Sequence, residues 1–167
     1  MSLVVDCSVA ASWALPDEMS DLADQSLVMC ATNGAVVPPI FWFELRKTMI
    51  VNERRGRISQ DETSEGLAAV EELPLIVDHN TSADNLMSLA RRHRLSAYDA
   101  AYVELALRLG ATLVTLDRDM AAAASAEGIE VLAARSRRAE RTEAWPPVTT
   151  NPSPPCPNCR SSSPRSR

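Results

Sequence analysis

Five short apolar runs constrain this chain more than any other feature. They are "LVVD" at 3–6, "AVV" at 35–37, "LIVD" at 75–78, "TLVTLD" at 112–117 and "GIEVL" at 128–132. Each is too short for a helix, and all but the last, which Glu130 interrupts, place apolar side chains mainly at consecutive rather than alternating positions. A strand of that kind is buried on both faces, which is the habit of parallel sheets covered by helices. The intervening segments have helical character. "SVAASWALPDE" reads as a brief helix stopped near Pro16, and "DEMSDLADQSLVMCATNG" as a second closing at Gly34. "IFWFELRKTMIVNERRG" is a substantial helix with Gly56 at its end, and "SQDETSEGLAAVEEL" opens as a capped helix with early acids. "TSADNLMSLARRHR", "SAYDAAYVELALRLG" with Gly110, and the alanine-rich "RDMAAAASAE" complete the set. The pattern predicts an α/β fold with about five strands in a mainly parallel central sheet.

The body should end near Leu132, giving one domain over 1–132. A short basic extension follows at 133–145, then a Pro/Ser-rich tail at 146–167 with little to bury, expected to be disordered. Within the tail, Cys156 and Cys159 form a lone "CPNC", which cannot complete a four-ligand zinc site by itself. Cys7 and Cys30 sit in apolar contexts and read as buried thiols. No run reaches the length of a bilayer span, and the N-terminus lacks a basic region before its apolar stretch; the expected location is the cytoplasm. Charge is uneven. Up to Leu132 there are 10 basic and 20 acidic residues (−10); from Ala133 on, 7 arginines and 2 glutamates (+5). An acidic body argues against a broad electrostatic nucleic-acid surface, but not against a nucleic-acid enzyme whose metal ions meet phosphate locally.

Several acids stand at the ends of the expected elements. Asp6 ends the first strand, where it serves either as a loop cap or in a site, with the Ser8 hydroxyl able to assist either role. Glu44 lies within "IFWFEL", where it either faces solvent or is buried, which would be costly for an unpaired carboxylate. Asp99 fits the third helical position of a capping box opened by Ser96. Asp117 suits the cap of the next helix, and Asp119 its first turn. Each acid has a structural explanation, yet the crevice beyond the carboxyl ends of parallel strands would gather several of them. His79 and His93 are the only histidines. Hard oxygen donors with little nitrogen or sulfur suit Mg2+, or Mn2+, and phosphoryl chemistry is the natural use of such a site. No phosphate loop, dinucleotide fingerprint or nucleophile elbow competes.

On "VVDCSV", "FWFEL", "LSAYDAAYVELA" and "GATLVTLDRDM", in that order and spacing, the chain resembles the PIN-domain ribonucleases, and within them the VapC-type toxins of type II toxin–antitoxin pairs. The resemblance covers about Val4 to Leu132. It implies a PIN-like three-layer α/β/α fold and a divalent-metal-dependent endoribonuclease. In that family an activated water attacks an RNA phosphodiester, leaving a 5′-phosphate and a 3′-hydroxyl. It implies Asp6, Glu44, Asp99 and Asp117 as the catalytic and metal-organising acids, Asp119 as a satellite metal residue, and Ser8 and Thr115 as auxiliary hydroxyls. It further implies a small cognate antitoxin, with "IFWF" as a candidate contact, and a homodimer or larger complex. Arg46, Lys47, Arg54, Arg55 and Arg57, with Arg91, Arg92, Arg94 and Arg118, are candidate RNA contacts or a solvated, ion-paired surface. Two rivals stand beside this reading: a catalytically silent protein- or RNA-binding relative, and a small magnesium-dependent phosphatase. The phosphatase wants a DxD arrangement where the first strand gives "DCS".

Overall fold

The computed structural model describes residues 2–15 and 20–133. The expectations of a basic extension beyond Ala133, a disordered tail and a "CPNC" element fall outside the described residues. Five strands form one sheet: β1 (Leu3–Val5), β2 (Ala35–Val37), β3 (Leu75–Val77), β4 (Thr112–Thr115) and β5 (Val131–Ala133). Their order is β3-β2-β1-β4-β5, and every pairing is parallel. Each expected apolar run contains one of these strands; β3 occupies the expected residues, whereas β5 begins at Val131 rather than Gly128 and extends to Ala133.

Alternation across the sheet divides the core in two. Val4, Val37 and Leu113 join one cluster, which includes Phe41, Leu45, Met49, Tyr102 and Leu105. Leu3, Val5 and Val114 join the other, with Val9 and Cys30. The central strands β1 and β4 are buried on both faces, while the edge strand β3 leaves Ile76 66% exposed; the layers are α/β/α. Seven helices supply the cover among the described residues: α1 (Cys7–Ala14), α2 (Asp21–Asn33), α3 (Phe41–Arg54), α4 (Gln60–Glu71), α5 (Ala83–His93), α6 (Ala97–Leu109) and α7 (Arg118–Ala126). No described helix is long and apolar enough to cross a membrane.

Local chemistry sets the helix ends. Ser59 and Glu62 form a reciprocal capping box at the start of α4, and Gly110 closes α6 in the left-handed region at φ 57°. Gly66 solves a packing problem: a Cβ there would lie 2.5 Å from the Ala14 carbonyl oxygen, so α4 can approach α1 only with no side chain at this point.

The strand order positions the site. The chain runs outward from β1 through β2 to β3, then returns to β4 on the other side of β1. The reversal opens a crevice between the carboxyl ends of β1 and β4, where ligands of such sheets bind. Asp6 leaves β1 at that edge, and Asp117 follows two residues after β4.

Candidate metal centre at the strand switch

Asp6 stands at the N-cap position of α1, but its side chain makes no capping bond to the helix. Its carboxylate is instead buried and held from the side. Oδ2 accepts hydrogen bonds from the Ser8 hydroxyl and, at 2.9 Å, from the Thr115 hydroxyl. Both hydroxyls also accept from backbone: Ser8 Oγ from Leu116 N–H at 3.2 Å, and Thr115 Oγ1 from Asp117 N–H at 2.9 Å. A hydroxyl can donate once while accepting, so each relays a backbone donor onto the carboxylate. The two relays tie the ends of β1 and β4 together at the acid. Burial raises the Asp6 pKa above the ordinary aspartate value, and the hydroxyl bonds only partly offset it.

Glu44 projects from the first turn of α3 and is half-buried. Its Oε2 accepts the Tyr102 phenol at 2.6 Å. Its pKa is raised chiefly by burial, with the charges of Asp6 and Asp99 adding to the effect; the Tyr102 bond and Lys47 oppose it. Tyr102 is itself buried, and its phenol is pushed upward by burial and by its bond to Glu44. The sequence alone gave Tyr102 no role. Its signal lies in the "YDAAY" spacing, which sets it three residues after Asp99 on one helix face.

Asp99 opens α6. Ser96 caps this helix through the Asp99 N–H at 3.1 Å, as expected. The Asp99 carboxylate takes the Ser96 hydroxyl at 2.7 Å. The expected reciprocal bond to the Ser96 backbone is therefore replaced by one to its side chain. Asp117 caps α7: Oδ1 accepts from the N–H groups of Asp119 and Met120, both at 2.8 Å. One oxygen is thus committed to the helix and holds the carboxylate in place.

These four acids border one cavity of about 400 Å3, lined also by Cys7, Ser8, Lys47 and Thr48. Asp119 is not among its lining residues; it borders a neighbouring hollow with His93 and Arg94. Thr115 is fully buried and reaches the cavity only through Asp6 and Asp117. Cys7, beside Asp6, has its thiol pushed up to about 12 by burial and by the charges of Asp6 and Glu44. Such a thiol stays protonated and is a poor ligand or nucleophile.

Hard carboxylate oxygens around one hollow, two with raised pKa values and one raised partly by its acidic neighbours, form a donor set that a divalent cation would relieve. They border the hollow without converging. Among the described residues, no three His, Cys, Asp or Glu side chains stand close enough to hold a metal ion as placed.

Comparison with known proteins agrees with this architecture. The family model for the PIN domain matches residues 3–126. Ribonuclease VapC3 of Pyrobaculum aerophilum is 32% identical over 124 residues, which is 72% of this chain and 93% of that protein. The fold is shared with PAE2754 from the same organism, at a TM-score of 0.60 and 22% identity, over 74% of this chain and 84% of that one. It is also shared with VapBC2 of Rickettsia felis, solved bound to a DNA fragment from their promoter, at a TM-score of 0.54 and 14% identity, over 80% and 99%. The chain belongs to the PIN-domain family and is related to the VapC-type toxins of toxin–antitoxin systems.

Proposed function

We propose that this protein is a divalent-metal-dependent endoribonuclease that hydrolyses RNA phosphodiesters as the toxin of a toxin–antitoxin pair. The observation that carries the reading is that Asp6, Glu44, Asp99 and Asp117 all border one cavity at the strand switch. The ribonuclease name of a relative at 32% identity supports it.

Asp6, Glu44, Asp99 and Asp117 would hold Mg2+ or Mn2+, with Asp119 outside the cavity as an outlying acid. When bound, the cation neutralises phosphate oxygens and lowers the pKa of water. The chain's own residues fix the acids. Ser8 and Thr115 hold Asp6 Oδ2, the α7 N-terminus holds Asp117 Oδ1, and Ser96 holds Asp99. Tyr102 engages Glu44 Oε2, leaving Oε1 as the acceptor for a cation or for a water proton. In the overall reaction a water oxygen bonds to phosphorus, the ester P–O bond breaks, and a proton reaches the departing oxygen.

The partner proposed is a small antitoxin that covers an apolar rim and places a basic segment at the acid cavity. Of the "FWF" trio, Phe41 is buried and Trp42 packs partly into the core, while Phe43 is 72% exposed and offers such a contact. The DNA contact of the Rickettsia felis complex is not assigned to this chain.

The test is cleavage of a mixed cellular RNA pool by purified, partner-free protein in Mg2+, Mn2+ or EDTA, with Asp99→Asn as control. Discrete cleavage that needs metal and is lost in the variant is expected. Folded protein that cleaves nothing would favour the silent binding module.

A further inference from the structure

The cavity bordered by four acids also carries a single cation among its lining residues, Lys47. It lies three residues after Glu44 on α3, so the two side chains share a helix face. The adjacent cation is committed elsewhere: Arg46 pairs with Glu71 at 2.7 Å and lies over the Trp42 ring. Lys47 is exposed and makes no ion pair among the described residues. Its flexible stem and three donors suit a moving anionic oxygen better than a fixed fork would.

A ring of acids repels a phosphodiester, and a point charge at its border gives the phosphate a favourable position. We infer that the Lys47 ammonium contacts a non-bridging oxygen of the phosphate being hydrolysed and stabilises the charge there as the water P–O bond forms and the ester P–O bond breaks. This rests on the nuclease reading and names a catalytic residue for it. The competing role is that of a simple counter-ion to Glu44, which would act on metal affinity and not on turnover.

The experiment compares wild type, Lys47→Gln and Lys47→Arg for RNA cleavage in Mg2+, Mn2+ binding by calorimetry, and affinity for a single-stranded RNA oligonucleotide in EDTA. Thermal melting serves as the folding control. Loss of one preorganised donor to a reacting anion lowers kcat strongly, so Lys47→Gln is expected to lose about 10–100-fold in kcat. Lys47→Arg keeps the charge and should remain within about fivefold of wild type. RNA affinity should fall by about threefold in the glutamine variant. Mn2+ binding should be unchanged or tighter, since a like charge has been removed. Wild-type kcat in Lys47→Gln overturns the inference, as does a loss matched by weaker Mn2+ binding or restored by excess metal. A wild type that cleaves nothing overturns the nuclease reading instead. In that case, unchanged RNA affinity in Lys47→Gln also overturns the phosphate contact, and weakened affinity supports the contact without hydrolysis.

Discussion

Burial opposes the charge of Asp6, and burial with neighbouring acids opposes that of Glu44. Both pKa values lie above the ordinary range, so the folded chain retains protons that the unfolded chain has released. The corresponding stability is present below the ordinary carboxylate range and is lost as pH rises through the raised values. Asp6→Asn should therefore melt higher than wild type in EDTA near pH 7.5, with the advantage shrinking towards about pH 4. Thermal melts of the two proteins across that window check it, and an advantage that grows on acidification would contradict it. Tyr102→Phe removes the phenol from Glu44 Oε2. A lost buried hydrogen bond of this kind costs about 1 kcal/mol, read by denaturant unfolding. Because the bond favours the Glu44 carboxylate, the acid limb of the pH–rate profile should move to higher pH in the variant. A profile that stays in place would mean that Glu44 does not titrate in the reaction.

Among the helices, α4 and α7 show how far local chemistry was legible. The Ser59–Glu62 box and the Asp117 cap follow from spacing alone, since a short acceptor just before a helix meets its free N–H groups. The spacing fits Asp99 to a capping box, but its carboxylate accepts from the Ser96 hydroxyl, because a side-chain rotamer and not the backbone pattern decides that bond. Gly66 could not be interpreted from sequence, because its reason is the Ala14 carbonyl of another helix. Helix propensity alone predicts that Gly66→Ala stabilises α4. The 2.5 Å approach predicts the reverse. Overpacking against backbone should destabilise the variant by about 1–3 kcal/mol, measured by urea unfolding. A gain in stability would show that α4 and α1 can separate at no cost. Arg94, which closes α5 at φ 58°, presents the opposite case. Arg94→Gly should be neutral or stabilise by up to about 1 kcal/mol, by thermal melting.

At the scale of the molecule, apolar runs and helical periods were enough to define the sheet, since strands buried on both faces leave few alternatives. Strand order was not legible, and it is the order that sets Asp6 beside Asp117. Asp119, two residues further on, faces the neighbouring hollow because α7 turns it away. Spacing along a chain does not report that rotation when the helix start is uncertain by a residue. The acidic balance of the body bears on RNA binding. Few phosphate contacts release few counter-ions, so the slope of log affinity against log salt should be shallow, about −1 to −2 for single-stranded RNA. A slope steeper than about −4 would reveal a basic surface beyond the cavity. The central claim is that four acids at the strand switch act as one cation site. It is tested most directly by Mn2+ titration calorimetry on wild type and on Asp6→Asn, Glu44→Gln, Asp99→Asn, Asp117→Asn and Asp119→Asn. The account predicts weakening of about tenfold or more in each of the first four and near-wild-type binding in Asp119→Asn. Wild-type affinity in any of the four, or equal loss in Asp119→Asn, would contradict it.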